Sequence, residues 1–93
     1  MFSPELRAGV EAGDITVSIR LWQRAKVKAG GRYQSNGFMI EVNSIELLPF
    51  SAVTADDIVR SGEPDREVLR QRAAHAGPIR DDTLVYRVEF HVV

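Results

Sequence analysis

No cysteine occurs anywhere in the chain, and that absence removes a disulfide framework, a thiolate metal site and a cysteine nucleophile together. Cysteine-free composition suits a reducing compartment, so the expected location is the cytoplasm. Long apolar runs are lacking as well. No stretch approaches the roughly 20 residues that a spanning helix needs. The start, Met1-Phe2-Ser3-Pro4-Glu5, is not a basic segment leading into an apolar one, as secretion signals are. No membrane contact is expected. There is also no excess of charge of one sign: the formal net charge is -1, which gives no bulk attraction to nucleic acid. Acidic residues are, however, absent from one window. None falls between Asp14 and Glu41, whereas Arg20, Arg24, Lys26, Lys28 and Arg32 all lie inside it.

What is present is ordinary globular material. A hydrophobic share of 44% and a charged share of 27% are enough for a core and argue against disorder. Ninety-three residues suit one domain over 1–93. Ten of the twelve basic residues are arginine, whose planar fork suits bidentate contact with phosphate and stacking on bases. A genome rich in G and C explains the excess equally well. It does less to explain the acid-free window.

Ser3-Pro4-Glu5 reads as a helix start, with Leu6 and Val10 as the buried stripe and Gly13 as the stop. Ile15 to Trp22 alternates strictly, which predicts a half-buried strand. Ile15, Val17, Ile19 and Leu21 then face the core, and Thr16, Ser18, Arg20 and Trp22 share the opposite side. Gln23 to Gly31 is a basic loop, Arg32 to Gln34 a short strand, and Ser35-Asn36-Gly37 a hairpin turn. Phe38 to Leu47 is a long strand whose apolar parity changes from even (Phe38, Ile40, Val42) to odd (Ile45, Leu47) near Asn43-Ser44, which predicts a bulge. Thr54 opens a short helix that Gly62 ends. A second helix over about 65–76 buries a stripe of Val68, Leu69, Arg72, Ala73 and Ala76. Thr83 to Val93 is a last strand, with Leu84, Tyr86, Val88, Phe90 and Val92 on one side. This order is not the regular alternation of a parallel sheet. The predicted fold is α+β, a small and mostly antiparallel barrel with two to three helices against it, closed by pairing of the C-terminal strand.

The chemistry concentrates on the first strand. Ser18, Arg20 and Trp22, continuing into Arg24, Lys26, Lys28 and Arg32, combine a hydroxyl, cations and an aromatic ring, as surfaces for single-stranded or looped RNA do. The plainer reading places Trp22 in the core and leaves the arginines solvated. A serine nucleophile needs a base beside it, and neither His75 nor His91 has a recognisable partner. Both are read as surface or capping residues. Asp56-Asp57 and Asp81-Asp82 are read as caps and turns rather than cation ligands. No metal or cofactor is expected.

The stretch Gly13-Asp14-Ile15-Thr16-Val17-Ser18-Ile19-Arg20 resembles the first strand of the ASCH domain family, which is related to the PUA RNA-binding domain. Lys28-Ala29-Gly30-Gly31, Ile40-Glu41-Val42 and Tyr86-Arg87-Val88-Glu89-Phe90 extend the likeness along nearly the whole chain, which looks like a small bacterial single-domain member. The resemblance implies a PUA-like barrel that binds RNA in a cleft beside the first strand. Some members of the family are amidohydrolases acting on N4-acetylcytidine with a lysine, a threonine and a glutamate. Of these the hydroxyl carries over to Ser18, and Ile15 stands where the lysine would be. No glutamate aligns with the family's, so Glu63 or one of Asp56 and Asp57 would have to support the serine. RNA or nucleotide binding is therefore ranked first. A small hydrolase, whether amidohydrolase or ribonuclease, comes second, and a protein-interaction domain third.

Overall fold

A computed structural model describes residues 4–35, 37–74 and 77–93. Ser3, Asn36, His75 and Ala76, read above as a cap, a turn residue, a helical histidine and a stripe residue, lie outside the described residues. Helix α1 (Pro4–Ala12) is followed by β1 (Val17–Arg20), β2 (Arg32–Ser35), β3 (Phe38–Pro49), a 3-10 turn at Phe50–Ala52, helices α2 (Ala55–Arg60) and α3 (Arg66–Ala73), and β4 (Leu84–Val92). Gly13 ends α1 and Gly62 ends α2, with φ of 85° and 81°, backbone values that L side chains resist.

The strands form one antiparallel sheet in the order β1-β4-β3-β2. Here the expected closed barrel is corrected. The C-terminal strand does pair with earlier ones, but it sits between β1 and β3, so β1 and β2 remain edges and the sheet is open. Strand lengths give the reason. β1 spans only Val17–Arg20 and meets β4 at Tyr86 to Glu89, which lie opposite Ser44 to Leu47 of β3. β2, equally short, pairs with β3 at Phe38 to Glu41. The two edges thus lie at opposite ends of the long β3–β4 ladder and cannot meet. β1 is also shorter than the alternation suggested, since Leu21 and Trp22 have left the ladder.

Register decides which side chains share a face, because directly paired residues point the same way and successive residues alternate. Val42 lies opposite Phe90 and Ser44 opposite Glu89, so Asn43 is the extra residue of a β-bulge. The bulge keeps Ile40, Val42, Ile45 and Leu47 on one face despite their change of parity. On the other face Val17, Ile19 and Val85 pack beneath Ile58 of α2, Leu69 and Ala73 of α3, and Phe50. A second core on the first face joins Ile40, Val42, Val88 and Phe90 to Val10 of α1, Ile15 and Val27. The last strand therefore contributes to both layers. Val85 is fully buried although it lies opposite in parity to the stripe that the sequence singles out, while Leu84 of that stripe is half exposed.

Helix α2 is tied to the sheet by charge. Thr54 and Asp57 form a reciprocal capping box, each side chain bonded to the other's backbone N–H at 3.1 Å. One carboxylate oxygen of Asp57 accepts this bond, and the other accepts Arg87 Nε of β4 at 2.9 Å. Arg87 also reaches Glu89 at 2.9 Å, and Glu89 pairs with Arg60 at 3.2 Å. Desolvation works to raise the Asp57 pKa, but the Thr54 amide and Arg87 outweigh it and hold the carboxyl below its ordinary value. Glu89 is likewise lowered, chiefly by its hydrogen bond from Arg87.

Both carboxyls are depressed in the folded state, so their contribution is complete above the ordinary carboxylate pKa of about 4 and is lost as pH falls through the lower folded values. Urea midpoints at pH 7 and pH 3 check this. The wild type loses stability on acidification. Asp57→Asn is less stable at pH 7 by about 2 kcal/mol, because Arg87 keeps only its glutamate partners, and changes less with pH.

Candidate functional site

Placing every described strand residue by register separates the charges. Arg32, Glu41, Glu46, Arg87 and Glu89 all fall on the face that α2 and α3 cover at one end. The opposite face carries, among the described strand residues, one charge: Arg20. It holds no acid.

Ser18 and Arg20 are paired with Val88 and Tyr86, and two residues apart on a strand they point the same way. Arg20 Nε donates to Ser18 Oγ at 2.7 Å. Burial lowers the Arg20 pKa, yet a guanidinium stays cationic at neutral pH, and partial desolvation strengthens its attraction for an anion. Trp22 continues this face beyond the strand end. Its ring lies 5.9 Å from that of Tyr86 at an interplanar angle of 41°, and it is half-buried against the second core. The plainer core reading of Trp22 thus holds in part, since the ring also lines a depression of about 300 Å3 together with Leu21, Gln23, Arg24 and Lys26.

The loop carrying these cations is fixed at its far end. Val27 is buried in the second core. Gly30 N–H donates to Val42 O at 2.7 Å, and Val42 N–H donates to Gly31 O at 2.9 Å. The Lys28 N–H donates to the Tyr33 hydroxyl at 2.9 Å. A Cβ at position 31 would stand 2.5 to 2.9 Å from the Tyr33 ring and hydroxyl, so any larger residue there would displace that side chain. Arg24, Lys26 and Lys28 are exposed on this tethered loop.

Other residues go elsewhere. Arg32 sits on the acid-bearing face and pairs across strands with Glu41 at 2.9 Å, so it does not extend the Arg20 surface. Thr16 precedes the strand and accepts Arg60 Nε at 3.0 Å instead of lining up with Ser18. Ile15 is buried with its side chain between α1 and the turn after α2: a Cβ on Gly9 would come within 2.7 Å of it, and one on Gly62 within 2.5 Å. Glu63 is buried, with Arg72 Nε 2.8 Å from its carboxylate. His91 is exposed, with Nδ1 2.7 Å from Asn43 Oδ1, on the face away from Ser18. Asp57 belongs to the capping box, and Asp81 accepts from Arg70 at 2.7 Å.

Three residues escaped the sequence reading. Tyr86 lies directly across from Arg20, and Leu47 lies across from Tyr86 in turn. Leu84, two residues before Tyr86 on the same face, is 53% exposed, as is Leu47. The signal was available, since apolar parity put Leu84 and Tyr86 together. Parity alone does not tell a covered face from an open one.

No family model matches the chain, and no curated protein matches it. Solved structures do. The ASCH domain from Lactobacillus crispatus JV V101 superposes with a TM-score of 0.76 at 19% identity, over 99% of this chain and 76% of that one. A protein of Enterococcus faecalis V583 assigned to the family DUF984 superposes with a TM-score of 0.77 at 16% identity, over 96% of this chain and 67% of that one. The chain thus has an ASCH-like fold.

Trp22 is the only tryptophan and reports the depression directly. Tyr86→Ala removes the ring against which it rests, so its emission shifts to longer wavelength and acrylamide quenching rises. His91→Ala, on the far face, leaves both unchanged.

Proposed function

We propose that this chain is a binding module for RNA or a nucleotide-like ligand, held against β1 on the acid-free face. In this reading Arg20, Arg24, Lys26 and Lys28 meet phosphate and Trp22 stacks on a base. The observation that carries it is the separation of charge by register. A face whose described strand residues include one partly desolvated arginine and no carboxylate, beside an aromatic depression, attracts a polyanion and supplies somewhere for its bases to rest.

Hydrolysis has less support. The observed partner of Ser18 Oγ is the Arg20 guanidinium, a cation that cannot take the serine proton. Ile15, at the position of the family's lysine, is an apolar side chain wedged between two glycines, with no group to stabilise developing charge. Glu63 is engaged with Arg72.

The experiment is a titration of a fluorescent single-stranded RNA at several salt concentrations. Affinity falls steeply with salt, and the double variant Arg24→Ala/Lys26→Ala lowers the slope of log K against log salt by about 1.4, from about 0.7 per phosphate contact. Absence of binding at low salt would end the proposal.

A further inference from the structure

The cations of the proposed site lie at one edge of a larger surface. Beyond Tyr86 the same sheet face continues over β4 and β3 through Leu84, Leu47 and Pro49, which pair as Leu47 with Tyr86 and Pro49 with Leu84. Leu47 and Leu84 are each 53% exposed. Among the described residues, neither hydrophobic core includes them. α2 and α3 pack on the other face, and α1 and Val27 cover the end near Val42 and Phe90. The sheet runs on past the end of β1, since Arg20 is the last β1 residue in the ladder and Leu84 and Val85 of β4 have β3 alone as a partner. The result is an apolar shelf with Tyr86 at its inner margin, and the Trp22 ring that lines the depression stands 5.9 Å from the Tyr86 ring.

We infer that this shelf is a second base-binding subsite, so that the ligand is an unpaired oligonucleotide of at least two bases, one on Trp22 and the next across Tyr86 on Leu47 and Leu84. The inference rests on the nucleic-acid reading above. Charge selects the occupant: the described strand residues of the shelf include no acid and adjoin Arg20 and the Arg24–Lys26 loop, an arrangement complementary to a strand with anionic backbone and apolar base faces. A duplex keeps its bases stacked inside and offers such a shelf nothing but phosphate. The strand crosses the sheet from β1 to β3, two inter-strand spacings or roughly 10 Å.

The test uses the whole chain with Leu47→Thr and Leu84→Thr, separately and together, because threonine keeps the strand preference of a half-exposed position. Wild type and variants are titrated with uridine monophosphate, a uridine hexanucleotide, and an RNA hairpin with a short closed loop, and sedimentation gives the oligomeric state. The double variant is expected to bind the hexanucleotide about tenfold more weakly, within the range of one lost stacking contact, with the salt slope and the mononucleotide affinity unchanged. The wild type is expected to prefer the hexanucleotide to the hairpin. Hexanucleotide affinity equal in wild type and double variant overturns the shelf while leaving the nucleic-acid reading intact. So does a wild-type dimer that the double variant dissolves, since the shelf is then an interface between copies. No binding of any of the three probes by the wild type overturns both.

Discussion

The antiparallel register of β4 is the constraint from which the remaining arrangement follows. As an interior strand it fixes the faces of both neighbours, and the Asn43 bulge lets β3 continue past it without exchanging sides. A slip of one residue would reverse every side chain. Arg87 and Glu89 would then enter the core beside Val10 and Phe50's layer would lose Val85, a cost far beyond the stability of a small domain. The register that buries Val88 and Phe90 necessarily places Arg87 and Glu89 under α2, where Asp57 and Arg60 satisfy them. Core packing and ion pairing thus select the same alignment, and the acid-free face is its by-product.

That by-product explains how an overall charge of -1 coexists with a sheet face whose described strand residues carry one arginine and no carboxylate. Net charge sums over faces that never see the same ligand. Carboxylates on β3 and β4 are consumed by Arg32, Arg60 and Arg87 on one side of the sheet. On the other, Arg20 is held by Ser18, its neighbour two residues earlier on the strand. The proximity of Trp22 and Tyr86 then joins a cationic strand end to an apolar one.

Much of this was legible in the residue order. The alternation of Val17, Ser18, Ile19 and Arg20 gave the correct faces, the parity change at Asn43 located the bulge, and Thr54, Asp65 and Gly62 marked the helix ends that the structure has. What local pattern cannot carry is pairing. Arg32 looked like part of the basic window because it is close in sequence to Lys28, yet its strand pairs with Glu41 and turns it to the opposite face. Thr16 fitted the alternation but lies just before the ladder, where Arg60 of α2 captures it. A closed barrel failed for the same kind of reason, since the offset of β1 and β2 along the ladder depends on long-range register. The open state of Leu47 and Leu84 depends on what the helices leave uncovered, which no strand sequence states.

The central claim is that one face of the sheet, and not the other, receives a single-stranded nucleic acid. Amide and indole chemical-shift mapping with a short uridine oligonucleotide tests it most directly. The account predicts shifts at Ser18, Arg20, the Trp22 indole, the 23–26 loop, Leu47 and Tyr86, with Arg32, Glu41 and His91 still. Shifts gathered around Arg32 and His91, or none anywhere at saturating oligonucleotide, would contradict it.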